Sequence, residues 1–149
     1  MTIKEIQEEI IEEFSMFDDW MDRYEYIIEL GKSLPIIDQE FKLDENLIKG
    51  CQSKVWLYSE LKNDTIKYTA DSDAILTKGI AALLLRVYSG QKPADILTTE
   101  TNFIDDIGLK EHLSLTRANG LVSMIKQIKM YAIAPVSYTH LRAHETRLN

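Results

Sequence analysis

The chain has 149 residues, 45% of them hydrophobic, which is enough for one domain with a sizeable core and leaves little room for a second. Its formal charge of −7 is concentrated at the start, where residues 1–25 hold nine acids against Lys4 and Arg23, a field opposite to the one nucleic-acid binding requires. The longest apolar run, Ile80 to Leu85, is far short of the roughly 20 residues of a membrane span, and Met1 to Glu13 lacks the pattern of a secretory signal, so a cytoplasmic protein without membrane or nucleic-acid partner is expected.

Thr2 and Glu5 have the spacing of a capping box, and Ile3, Ile6, Ile10 and Phe14 then recur at helical spacing, predicting a first amphipathic helix. A second is predicted from Asp18 or Asp19, with Trp20, Tyr24, Ile27 and Ile28 toward one side, ending at Gly31 to Leu34 before Pro35. Both are expected to cover a sheet. Residues 36–53 lack helical periodicity and contain Asp44, Glu45, Asn46 and Gly50, so they read as irregular chain with room for a short strand. That places Cys51 in a loop. Lys54 to Leu61 and Ile66 to Ala70 carry the β-branched and aromatic residues of strands, joined by the polar stretch Lys62 to Thr65 as a hairpin connection.

Asp71, Ser72 and Asp73 supply N-cap chemistry for a central buried helix through Ile75, Ile80, Leu83, Leu84 and Val87, with Gly90 as its stop. After Pro93 come a short turn of helix, a link from Phe103 to Gly108, a short element at Leu109 to Leu113, and a last helix from Thr116 to Ala134. The class is α+β, a small antiparallel β-sheet flanked by helices in one domain over residues 1–135. Residues 136–149 follow Pro135, carry His140 and His144, and show no comparable apolar face, so they read as a disordered terminus or a chain end of uncertain origin.

Cys51 is the only cysteine and sits in the string Gly50, Cys51, Gln52, Ser53. Sulfur can accept, hold and release another sulfur atom through thiolate attack and a persulfide or mixed disulfide. The competing account is burial, since a free cysteine commonly packs as a small hydrophobe. A cysteine hydrolase would need a base, and His112 is the only candidate outside the tail; a surface histidine explains it at least as well. One cysteine and one such histidine cannot build a closed zinc site, and no glycine-rich phosphate loop is present.

Three blocks of residues are similar to the SufE family of sulfur acceptors, which partner pyridoxal-phosphate cysteine desulfurases in iron–sulfur cluster assembly. The first is Trp20, Arg23, Tyr24, Ile27, Gly31, Leu34 and Pro35. The second is Asn46, Ile48, Gly50, Cys51, Gln52, Ser53, Val55 and Trp56, continued by Ala70 to Ala74 and Gly79. The third is Leu109, His112, Leu113, Arg117, Asn119, Gly120 and Leu121, with Thr116 where the family often has serine.

The resemblance implies a fold akin to IscU-type scaffolds, and a single cysteine separates a carrier from a scaffold that ligates clusters on several thiolates. It implies that Cys51 bears a persulfide, with Gly50, Gln52, Ser53, Asp71, Asp73, Arg117 and Asn119 in supporting or partner-binding roles. For Asp71 and Asp73, helix capping is the competing account, and for Asn119 it is local backbone chemistry. The implied partners are a SufS-type cysteine desulfurase, which the carrier stimulates, and a downstream Suf cluster scaffold. The chain is then a transpersulfuration partner rather than a stand-alone enzyme, with no cofactor of its own, pyridoxal phosphate belonging to the desulfurase. A Cys51 and His112 hydrolase and a non-catalytic desulfurase-binding module are the alternatives.

Overall fold

A computed structural model describes residues 1–100 and 102–148, with side-chain surroundings for those up to residue 133. Helix α1 spans Ile3–Ser15 and opens on the expected capping box, Glu5 N–H donating to Thr2 Oγ1 and Thr2 N–H to Glu5 Oε1, each at 3.2 Å. Helix α2 spans Trp20–Leu30 and is capped by Asp19, whose Oδ1 accepts from Met21 N–H at 3.0 Å. Strands β1 (Val55–Lys62) and β2 (Thr65–Ser72) pair antiparallel from Val55 opposite Ser72 to Lys62 opposite Thr65. Asn63 and Asp64 turn the hairpin with φ of 49° and 67°, the left-handed geometry that matches the twist of a two-residue connection.

Helix α3 (Ile75–Tyr88) is the central element: Ile80 to Leu85, Val87 and Tyr88 are all buried, so it is apolar and covered around most of its circumference. One side lies on β2 and another on α2. The approach of α2 is close because glycine stands on each side, Gly79 within α3 and Gly31 just past the end of α2: a Cβ on Gly79 would stand 2.1 Å from Ile27 O, and one on Gly31 would stand 3.1 Å from Gly79 N. The expectation that α1 and α2 cover the sheet is therefore corrected. They pack on α3, and α3 lies between them and the hairpin. Arg86 of α3 holds α1 through Glu9 at 2.6 Å and through both oxygens of Glu13.

The C-terminal half adds α4 (Pro93–Thr98), α5 (Asn102–Asp106), α6 (Leu109–His112) and α7 (Leu115–Leu148). Phe103 and Ile104 are buried within α5, a full short helix where the sequence suggested a link. Helix α7 packs on α4 and α3, and Tyr68 of β2 donates to Ile128 O at 2.7 Å. Its backbone continues past Ala134, where the sequence placed its end, to Leu148. The side chains of the segment at 136–149 lie outside the described residues. No helix among the described residues is long and apolar enough to cross a membrane.

Candidate functional site

The chain from Lys49 to Ser53 leaves the body between two backbone clamps. On the entry side, Leu47 bridges Trp56 and Ile48 N–H donates to Val55 O at 2.8 Å, so the chain runs beside β1 before it turns away. On the exit side, Lys54 N–H donates to Asp73 Oδ1 at 3.0 Å and Asp73 N–H returns to Lys54 O at 3.2 Å. The predicted cap role of Asp73 is thus corrected. Strand β2 runs on to Ser72, the N-cap of α3 is Ala74 without a side-chain cap, and the Asp73 carboxylate fastens the loop instead.

At the turn, Gly50 has φ of +93°, a conformation a side chain rarely adopts, and a Cβ there would stand 2.6 Å from Ser123 Oγ. This geometry carries Cys51 against the first turns of α7. The thiol is partly buried and donates to Gly120 O at an Sγ to O distance of 3.6 Å. Gly120 lies directly beside the thiol: a Cβ there would meet Sγ at 3.5 Å, an ordinary van der Waals contact. Burial pushes the Cys51 thiol above its ordinary range. The hydrogen bond acts in the same sense, because a thiol can donate it and a thiolate cannot.

Beside Sγ lies a cavity of about 50 Å³. Cys51, Gln52 and Ser53 form one wall, Thr77 and Ile80 of α3 a second, and Thr116, Arg117, Gly120 and Met124 of α7 a third. Of the residues singled out in the sequence, Cys51, Gln52, Ser53 and Arg117 meet here, while Gly50 shapes the turn. Asp71 and Asn119 do not line the cavity. Asn119 is exposed on α7. Asp71 lies on β2 between Lys42 Nζ at 2.9 Å and Lys78 Nζ at 3.6 Å, and Lys42 Nζ also stands 4.5 Å from the centre of the Trp56 ring. Burial raises the Asp71 carboxyl, but Lys42, the Ser72 N–H and Lys78 together outweigh it and hold the group below its ordinary range.

Thr77 escaped the sequence reading. Its signal was a hydroxyl on the stripe continued by Ile80, Leu84 and Val87, and at 8% exposure it is the one polar residue among the buried described residues. His112 belongs to a different cluster. Its ring stacks on Trp20 at 3.8 Å, its Nδ1 is 3.0 Å from Gly108 O, and it is not among the residues lining the Cys51 cavity. Arg23 lies over the other partner of that stack, 5.0 Å from Trp20, and donates to Phe17 O at 2.9 Å and to Ile107 O at 3.4 Å, so these residues fasten α2 to the α5–α6 region. Among the described residues, no group of three or more His, Cys, Asp or Glu could hold a metal ion.

Comparison with known proteins agrees with this architecture. The family model for SufE, the Fe-S metabolism associated domain, matches residues 8–132. An uncharacterized SufE-like protein of Rhizobium meliloti is 40% identical over 130 residues, covering 84% of this chain and 93% of its own. One of Synechocystis is 36% identical, covering 84% and 79%. SufE-like protein 1 of Arabidopsis thaliana, described as chloroplastic/mitochondrial, is 38% identical over 85% of this chain, which spans only 34% of that protein's length. The solution structure of a hypothetical protein from Thermus thermophilus superposes with a TM-score of 0.74 over 89% of this chain and 96% of its own at 17% identity, a likeness of fold. With the family model spanning most of its length and relatives at 36–40% identity, the chain belongs to the SufE family, whose domain is associated with iron–sulfur metabolism.

Proposed function

We propose that the chain accepts sulfur from a SufS-type cysteine desulfurase onto Cys51, stimulates that enzyme by relieving it of its product, and delivers the sulfur to an iron–sulfur cluster scaffold. The observation that carries this reading is the placement of the only cysteine on a turn clamped at both ends, half-covered by α7 beside a cavity. In the transfer, the Cys51 thiolate attacks the outer sulfur of a persulfide on the desulfurase. A sulfur–sulfur bond forms at Cys51, the one on the desulfurase breaks, and its electron pair leaves on the desulfurase cysteine as thiolate. The Cys51 proton passes to solvent before attack. The cytoplasm, where thiols stay reduced, is the compartment this reading expects.

At rest the thiol is held in its unreactive form by burial and by its bond to Gly120 O. The desulfurase releases it by drawing the 49–53 loop outward. Intact mass after mixing with a cysteine desulfurase and free cysteine tests the assignment: one added sulfur is expected on the parent chain and none on Cys51→Ser. Labelled sulfur retained by Cys51→Ser rejects it. Equal hydrogen-exchange protection of residues 50–54 with and without the desulfurase rejects the release step. The hydrolase alternative lacks support, because His112 is engaged by Trp20 and Gly108.

A further inference from the structure

A persulfide changes what the surroundings of Cys51 must supply. Sγ no longer carries a hydrogen for Gly120 O, and the negative charge sits on the outer sulfur, which needs donors. The cavity beside Sγ measures about 50 Å³, where roughly 10–15 Å³ already admits a water, so an added sulfur atom has room. The first turns of two helices line it, that of α7 capped by Ser114 Oγ, which accepts from Arg117 N–H at 3.3 Å. Thr77 is the third residue of α3, whose N-cap Ala74 makes no side-chain cap bond, and Thr116 and Arg117 are the second and third residues of α7. First-turn N–H groups have no partner within their helix and give that end a partial positive charge.

Into this wall α3 places Thr77, a residue more than nine-tenths buried. Its hydroxyl makes no side-chain hydrogen bond to any described residue and so has a donor to offer a ligand. As the third residue of α3, Thr77 has no helical carbonyl four residues behind it, since Asp73 precedes the N-cap, and it lines the cavity.

We infer that Thr77 is the hydrogen-bond donor to the outer sulfur of the Cys51 persulfide, which is stored in this cavity between the N-termini of α3 and α7. The inference rests on the sulfur-carrier reading and adds to it the residue that retains the cargo. It assigns Thr77 a role in holding sulfur, distinct from the loop residues that expose it.

The test loads the full chain with inorganic polysulfide. The Cys51 thiolate takes one sulfur, a polysulfide sulfur–sulfur bond breaks, and the shortened polysulfide leaves as the dianion. Cyanide then removes the outer sulfur as thiocyanate and returns the thiolate. A hydrogen bond to a charged acceptor is strong enough that its loss is expected to speed this removal about tenfold or more in Thr77→Val, while Thr77→Ser stays close to the parent rate. Thr77→Ala set against Thr77→Ser repeats the comparison with a pair differing only in the hydroxyl, should valine disturb packing. Equal rates in the paired variants, with sulfur mass present on the parent, overturn the role of Thr77. Failure of the parent to take up sulfur from either polysulfide or a desulfurase overturns the carrier reading itself.

Discussion

Gly120→Ala separates what stabilises the protein from what its site needs. The position is buried inside α7, and an added Cβ would meet Cys51 Sγ at 3.5 Å, its Cα at 3.8 Å and its Cβ at 3.9 Å, all ordinary van der Waals contacts. Alanine is favoured over glycine in a helix interior by about 0.8–1 kcal/mol, so the variant should be the more stable protein. For a chain of this size that raises the melting midpoint by roughly 2–4 °C. The same methyl narrows the cavity that, on the carrier reading, receives the outer sulfur. Overpacking a fitted site costs about 1–3 kcal/mol, and 1.4 kcal/mol is a factor of ten, so the persulfide should be held about tenfold or more less well. Differential scanning calorimetry and the cyanide assay read the two effects. A lower melting midpoint would refute the contact geometry, and an unchanged rate of sulfur loss would refute the cavity as the storage site.

Burial and the Gly120 contact keep Cys51 protonated, so its alkylation by iodoacetamide should be slow at neutral pH and should still be rising above the pKa of a free cysteine, about 8.5. A plateau at or below that value would remove the protection argument. Asp73→Ala frees the Lys54 amide, and both faster hydrogen exchange at Lys54 and faster alkylation of Cys51 are expected; unchanged rates would mean that Asp73 does not fasten the loop. Gly79→Ala forces a Cβ toward Ile27 O at 2.1 Å and should cost about 3 kcal/mol in urea unfolding, with parent-like stability counting against the close α2–α3 packing. The Arg86 hydrogen bond outweighs burial and holds Glu13 below its ordinary range. A depressed carboxylate stabilises the fold above its unfolded pKa, near 4.3, and that contribution disappears as pH falls through the folded value. Glu13→Gln should therefore lower stability at pH 7 and flatten its decline below about pH 4.5. An identical acid profile would deny the pair any role.

Elements governed by nearby residues were legible in the chain. The capping box of α1 needs only Thr2 and Glu5, the hairpin only a polar turn between β-formers, and the burial of α3 only its run of apolar residues. What escaped depends on distant partners. Asp73 has good N-cap chemistry, yet Lys54, brought near by the antiparallel register, offers its carboxylate a better donor than the uncapped start of α3. The placement of α2 on α3 follows from Gly31 and Gly79 meeting across a helix crossing, which no local pattern marks. Cys51 was conspicuous as a lone thiol, whereas Thr77 becomes informative only when α3 is seen to form a wall of the same cavity.

That convergence bears on how a carrier avoids losing its cargo. The contact that holds the resting thiol, donation to Gly120 O, requires the proton that sulfur acceptance must remove. On the carrier reading, deprotonation and release of the loop are therefore coupled, and a free chain gives up little thiolate to stray oxidants. Once loaded, Sγ has no hydrogen and the Gly120 contact is lost, so retention must come from donors farther along the cavity. Thr77, a buried residue of α3 lining the same cavity, is placed to supply one. The resting and loaded states thus use different walls of one cavity, α7 for the thiol and α3 for the added sulfur. Variants of Gly120 and Thr77 should accordingly separate in assay: the first alters both alkylation of the empty chain and loss of sulfur from the loaded one, and the second alters the loaded chain alone. If Thr77→Val also changed alkylation of the empty thiol, the two-wall division would be wrong.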